Sequence, residues 1–231
     1  MTFDAPEIAR AAKPGQFVHI KCGHSRPLRR PISVCDVRGD MLTVVFEVRG
    51  AGTRWLASRA VGRKADILGP LGRGFDEPDG KMLLVGGGLG VAPLLFAASR
   101  SPGVATAVLG FRSRENAILI NEFEGVCEDV FTVTDDGSRG LRGTATSPLA
   151  ELLRSGKYTS ILACGPRAML SATAELASAH GVYCEVSLEE RMGCGVGACL
   201  VCACATRDHG EDKMSRVCKD GPVFDSREVV W

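Results

Sequence analysis

Lys81-Met82-Leu83-Leu84-Val85-Gly86-Gly87-Gly88-Leu89-Gly90-Val91-Ala92-Pro93 runs from one apolar segment through a glycine turn into another. Lys81 to Val85 is short and aliphatic, as a buried parallel strand is, and Val91 to Ser99 is long enough for a helix. Pro93 suits a first helical turn, where a missing N–H leaves no hydrogen bond unmade. A strand, a glycine turn and a helix in this order bring backbone N–H groups and a helix N-terminus to one point, the context in which a pyrophosphate binds. The turn departs from G-x-G-x-x-G, because Val91 stands where the third glycine would be.

The same texture continues downstream. Val104 to Leu109, Val130 to Thr134 and Ser160 to Ala163 read as strands, with helices over Pro148 to Ser155 and Arg167 to His180. Such alternation predicts a parallel sheet. Ala163-Cys164-Gly165-Pro166-Arg167 ends a strand and opens a helix, so Cys164 is expected at the C-terminal edge of the sheet, where ligands of open α/β folds sit; a lone buried cysteine has the same local sequence.

Upstream the pattern is short β segments, Gln16 to Lys21, Met41 to Val48 and Lys64 to Leu68, between Gly-, Pro- and Arg-rich turns. This predicts a small antiparallel barrel. Met1-Thr2-Phe3-Asp4 alternates like the end of a strand, which suggests a truncated first strand. Leu28-Arg29-Arg30-Pro31-Ile32-Ser33 offers a guanidinium fork suited to a pyrophosphate and a hydroxyl suited to a flavin edge, and equally suits a solvated basic loop. Gly50-Ala51-Gly52-Thr53 can approach a phosphate or simply turn a hairpin. Gly69-Pro70-Leu71-Gly72-Arg73-Gly74-Phe75 marks the end of the barrel or a plain linker.

Near the C-terminus, Cys194, Cys199, Cys202 and Cys218 follow C-x4-C-x2-C-x15-C, the plant-type ligand order of a [2Fe-2S] cluster. Glycines between them let backbone amides turn toward sulfur. Zinc sites favour paired C-x2-C knuckles, so zinc and plain structural cysteine are the alternatives to iron-sulfur. Cys204, two residues after Cys202, is either a fifth, non-ligating thiol or a competitor for the third position. Regular periodicity fades from about Val186, as in a module ordered by its metal.

The 231 residues, with net charge +1 and interspersed acids and bases, carry no electrostatic footprint for nucleic acid. The ten cysteines fit metal ligation in a reducing cytoplasm, and the absence of a signal peptide or membrane span predicts a soluble cytoplasmic protein. His19, His24, His180 and His209 are scattered and pair with no nucleophile, which argues against hydrolytic chemistry.

Taken in order, Pro14-Gly15-Gln16-Phe17, Arg30-Pro31-Ile32-Ser33, Gly52-Thr53, Gly69-Pro70-Leu71-Gly72, Gly86 to Pro93 and Cys164-Gly165-Pro166 make the first 185 residues similar to the ferredoxin-NADP reductase superfamily. With Ser187-Leu188-Glu189-Glu190-Arg191-Met192 and the four-cysteine module, the whole chain resembles the family of electron-transfer subunits of class 1B, NAD-dependent dihydroorotate dehydrogenases. The resemblance implies an antiparallel FAD-binding barrel over residues 1–76, a Rossmann-like NAD domain over 77–185 and a [2Fe-2S] domain over 186–231. It implies that Arg30 contacts the FAD pyrophosphate, Ser33 the isoalloxazine, and Gly52 and Thr53 the phosphate or ribityl region, with Pro31 and Ile32 in the same motif. Val45, Phe46 and Glu47 correspond to a flavin-facing segment in which the family often has a basic residue at the position of Glu47, and Ile32 replaces an aromatic common in the superfamily. Gly86, Gly87, Gly88 and Gly90 correspond to the nucleotide turn, Cys164 to a residue bordering the nicotinamide, and Cys194, Cys199, Cys202 and Cys218 to the cluster ligands.

The implied function is to pass electrons from dihydroorotate oxidation on a separate FMN-containing catalytic subunit, in a heterotetramer, through the cluster and FAD to NAD, in pyrimidine biosynthesis. A related ferredoxin-NADP reductase-like or sulfide dehydrogenase subunit is the first alternative, and Arg112 and Arg114 keep NADP open. A non-enzymatic, metal-stabilised redox-sensing module is the second.

Overall fold

A computed structural model describes residues 1–23, 26–76, 79–101, 103–208 and 210–231. His24, His209 and Glu77, where the second unit is expected to start, lie outside these residues. The N-terminal part is a five-stranded antiparallel sheet in the order β1-β4-β3-β2-β5, from β1 (Thr2–Asp4), β2 (Phe17–Ile20), β3 (Arg30–Arg38), β4 (Met41–Val44) and β5 (Ile67–Leu71). Helix α1 (Pro6–Ala11) packs on both β4 and β5. Val18, Ile20, Ile32, Val34, Leu42 and Val44 fill the core of this half.

Two segments differ from their sequence reading. The arginine-rich stretch expected as a turn is the nine-residue strand β3, in which Ile32 and Val34 alternate into the core while Arg30, Pro31 and Ser33 mask the period-two pattern. Gly50-Ala51-Gly52-Thr53 opens the seven-residue helix α2 (Ala51–Ala57), with Thr53 Oγ1 accepting N–H bonds from Arg49 at 3.0 Å and Gly50 at 3.2 Å.

The second sheet has seven strands in the order β14-β11-β10-β6-β7-β8-β9. Its parallel members are β6 (Lys81–Gly87), β7 (Ala105–Phe111), β8 (Asp129–Thr134), β9 (Leu141–Arg142), β10 (Tyr158–Cys164) and β11 (Tyr183–Ser187). Helices α3 (Val91–Arg100), α4 (Ile120–Glu124), α5 (Leu149–Arg154) and α6 (Arg167–Ala179) connect them. Val91 to Ala98 of α3 are all buried, because the helix lies between this sheet and β3 of the first; its Phe96 belongs to the core of the N-terminal sheet. A helix apolar on every side needs such double cover.

The C-terminal segment is more regular than its sequence suggests. Strands β12 (Ala203–Asp208) and β13 (Glu211–Arg216) form an antiparallel hairpin, and β14 (Val223–Asp225) returns to pair antiparallel with β11. The cysteine loop, residues 188–202, therefore leaves the second sheet at β11 and the chain re-enters it at β14. No helix among the described residues is long and apolar enough to cross a membrane.

Candidate functional site

Strand order reverses on either side of β6: β7 lies to one side and β10 to the other, which makes the C-terminal ends of β6 and β10 the topological switch point. Gly86 to Gly90 and Cys164-Gly165 meet there. A Cβ on Gly90 would collide with the carbonyl oxygen and carbon of Cys164, and one on Gly87 would come within 2.8 Å of both Pro166 and Met169. These glycines thus permit the close approach of two turns, a packing role that the phosphate-turn reading does not anticipate. Gly88 differs: its φ is +56°, and open space lies where a Cβ would be.

Two adjoining clefts open beside this point. The first, ≈ 190 Å³, is lined by Arg30, Pro31, Ile32, Ser33, Val45, Phe46, Glu47, Arg49, Thr53, Leu89, Ala92 and Glu189. The second, ≈ 200 Å³, is lined by Phe17, Pro31, Ser33, Cys164, Ser187, Leu188, Glu189, Glu190, Met192 and Pro222. Pro31, Ser33 and Glu189 belong to both, so the barrel motif and Cys164 share one continuous surface. Val45, Phe46 and Glu47 reach it because the chain leaves the sheet at Val44 instead of continuing to Val48 as the sequence suggests. The Arg30 guanidinium lies against Gly52, where a Cβ would come 2.6 Å from Nε, and its Nη1 donates to the Leu28 and Arg29 carbonyls at 2.7 and 3.2 Å. Glu47 is paired with Arg49 at 2.7 Å.

Cys164 is buried, and burial pushes its thiol up to about 12, so it presents S–H at neutral pH. Its place is a wall of the second cleft. Glu189, Glu190 and Met192, whose motif the sequence supplies without a role, line the same cleft.

The cysteine loop turns its N–H groups onto sulfur. Val196 and Ala198 donate to Cys194 Sγ at 3.4 and 3.2 Å, Cys194 to Cys199 Sγ at 3.4 Å, Gly197 to Cys218 Sγ at 3.1 Å, and Cys218 to Cys202 Sγ at 3.4 Å. The Val196 N–H leads the contacts that hold the Cys194 thiol down to about 6, toward the thiolate that ligates metal. The thiols fall into two neighbouring pairs, Cys194 with Cys199 and Cys202 with Cys218. Among the described residues no three His, Cys, Asp or Glu side chains converge as a single-ion site requires. Two thiol pairs under a canopy of N–H donors suit the donor set of a two-iron cluster. Cys202 and Cys218 are buried, Cys194 is half-buried and Cys199 is exposed. Cys204 instead sits in β12, paired across the ladder with Ser215, and its thiol is buried in the core shared with the seven-stranded sheet. Arg216, held by Asp220 at 2.9 Å, donates to the Gly197 carbonyl at 3.3 Å and buttresses the loop.

One neighbour of the loop carries no local sequence signal. His19 in β2 is fully buried, burial first and then Arg29 lower its pKa, and neither ring nitrogen has a hydrogen-bond partner. An unmet polar group of this kind costs about 1–3 kcal/mol.

Comparison with known proteins adds three findings. The model of the iron-sulfur cluster binding domain of dihydroorotate dehydrogenase B matches residues 189–230. Proteins named dihydroorotate dehydrogenase B (NAD(+)), electron transfer subunit, are 41% identical in Desulforamulus reducens, covering 100% of this chain and 92% of the relative, and 41% identical in Geobacillus kaustophilus, covering 100% and 91%. Among solved structures, a chain from the NADH-dependent reduced ferredoxin-NADP oxidoreductase, studied for flavin-based electron bifurcation, superposes with a TM-score of 0.84 at 33% identity, over 100% of this chain and 84% of that one.

Proposed function

Since this chain belongs to the family of electron-transfer subunits of NAD-dependent dihydroorotate dehydrogenase B, we propose that it carries electrons from dihydroorotate oxidation on an FMN-containing partner subunit to NAD, by way of a [2Fe-2S] cluster and FAD. The observation that carries this reading is the continuous surface on which Ser33 and Pro31 join the barrel cleft to the Cys164 cleft. When bound, FAD supplies the exchange between single electrons and a hydride, and the cluster supplies one-electron passage.

The chain's own residues bind and orient. Arg30 offers its remaining N–H groups to a pyrophosphate at the mouth of the first cleft, beside Gly52 and Thr53. Ser33 offers its hydroxyl to a flavin edge, and Pro31, Ile32, Val45, Phe46 and Glu47 line that cleft. Gly86, Gly87, Gly88 and Gly90 shape the nucleotide turn, and Cys164 borders the nicotinamide position as a neutral thiol. Cys194, Cys199, Cys202 and Cys218 hold the cluster. Their burial gives the site a direction: Cys202 and Cys218 lie in the core shared with the nucleotide sheet, whereas Cys199 faces outward.

On the cysteine loop Val196, Leu200 and Val201 are exposed apolar side chains. Such a patch beside a redox loop supports docking of the catalytic subunit, and the family resemblance implies a heterotetramer of two subunits of each kind. The domain limits that accompany this reading are 1–76 for FAD, 77–185 for NAD and 186–231 for the cluster, with β14 of the last segment completing the sheet of the second.

Co-expression with an FMN-containing, dihydroorotate-oxidising subunit tests the proposal. The complex is expected to reduce NAD with dihydroorotate, and to use NADH in preference to NADPH in reverse. Cys199→Ser should abolish NAD reduction while the partner still oxidises dihydroorotate with an artificial acceptor. Normal NAD reduction in that variant would overturn the relay.

A further inference from the structure

We propose that His19 is a positioning residue for the cluster loop: its imidazole N–H holds the Cys194-Gly195 corner against β2 and thereby sets the potential of the cluster. The inference rests on the reading of Cys194 as a cluster ligand.

His19 and Phe17 stand on the same face of β2, opposite the face whose Val18 and Ile20 pack into the barrel core. The two rings meet edge to face at 6.3 Å, and Phe17 lines the Cys164 cleft. Across the ladder His19 pairs with Pro31, which lines both clefts. On its other side the ring abuts the cysteine loop, where a Cβ on Gly195 would come 2.6 Å from Nδ1. Gly195 has a φ of +75° as well, so loop conformation and ring position are fitted to each other.

An aliphatic side chain could fill this volume without a polar atom. An imidazole with zero exposure and two unpartnered nitrogens is retained at a cost unless it meets an acceptor in the working protein. The loop backbone at the Cys194-Gly195 corner is what the ring abuts on this side. An N–H donated there fixes the first cluster residue to the strand that also carries the flavin cleft. Fixing that corner keeps the Val196 and Ala198 N–H groups on Cys194 Sγ, and hydrogen bonds to cluster sulfur favour the reduced state and raise the potential.

The test uses full-length protein loaded with FAD and cluster. His19→Phe fills the site without a donor, and His19→Gln restores an N–H. In H19F the cluster midpoint, followed by EPR-monitored titration, should move negative while FAD content and flavin potentials stay unchanged, and a chelator should strip iron about tenfold faster, as expected for loss of an outer-sphere partner. H19Q should bring both readouts back toward wild type. If H19F does not fold, His19→Met supplies the same contrast with a flexible apolar side chain. An unshifted midpoint and unchanged iron loss in the donor-less variant would sink the role of His19; a wild-type protein that assembles no cluster would sink the ligand reading instead.

Discussion

Gly90 lies so close beneath the Cys164 carbonyl that no side chain fits between them. Gly90→Ala should therefore cost about 3 kcal/mol, the upper range for overpacking, because the obstacle is backbone. Gly88→Ala should cost about 1–2 kcal/mol, from its positive φ alone, since space is open there. Urea unfolding of the two variants checks the order, and equal costs would contradict the packing account. At this scale spacing and position after a strand, both local properties, single out the four cysteines and Cys164 in the sequence; the structure sets Cys164 in a cleft wall and turns backbone N–H groups onto the cysteine sulfurs. The sequence was silent about His19, whose neighbour Gly195 is far along the chain, and it could not separate the packing glycines of the turn from the open one.

Among elements, β6, β7, β8, β10 and α3 were legible as short apolar runs, with β6 and α3 set off by the glycine turn between them, whereas the parallel strands β9 and β11 went unread. Strand β3 was not, since Arg30, Pro31 and Ser33 face a cleft and break the apolar alternation. Strand β14 was too short to carry a pattern at all. The joint between these elements contains a titrating group. Glu185 of β11 is fully buried, accepting from Arg73 Nη2 at 2.9 Å and from the Asp76 N–H at 2.8 Å, with Tyr183 and Asp76 as its other titratable neighbours. Burial outweighs these partners and pushes the carboxyl up from 4.5 to about 7. The folded state thus holds this proton more tightly than the unfolded state. The contribution to stability is full below about 4.5 and is lost as pH rises through about 7, a change of up to about 3 kcal/mol. The urea midpoint of the protein should fall between pH 5 and pH 8, and Glu185→Gln should flatten that slope; an unchanged slope would remove Glu185 as its source.

The whole molecule is joined through shared cores. Phe96 extends from the nucleotide half into the core of the N-terminal sheet, and Phe17 extends the other way. Phe96→Ala should cost about 3–5 kcal/mol, and both halves should still unfold in one transition followed by coincident circular dichroism and flavin fluorescence. On the outside, Leu200→Asp in the exposed patch should weaken association with the catalytic subunit about tenfold or more, measured by titration calorimetry, with folding and cluster content unchanged. Unaltered affinity would move the docking surface elsewhere.

The cysteine loop is pinned at both ends to one sheet, by β11 before it and β14 after it, and the last residues are held in turn by Arg167 Nη2, which donates to the Val230 carbonyl at 2.6 Å. A redox centre carried on a tail could swing between donor and acceptor; one stitched into a sheet cannot. Electrons crossing this subunit travel a wire of constant length rather than ride a shuttle, so their rate is governed by distance and driving force and not by a hinge.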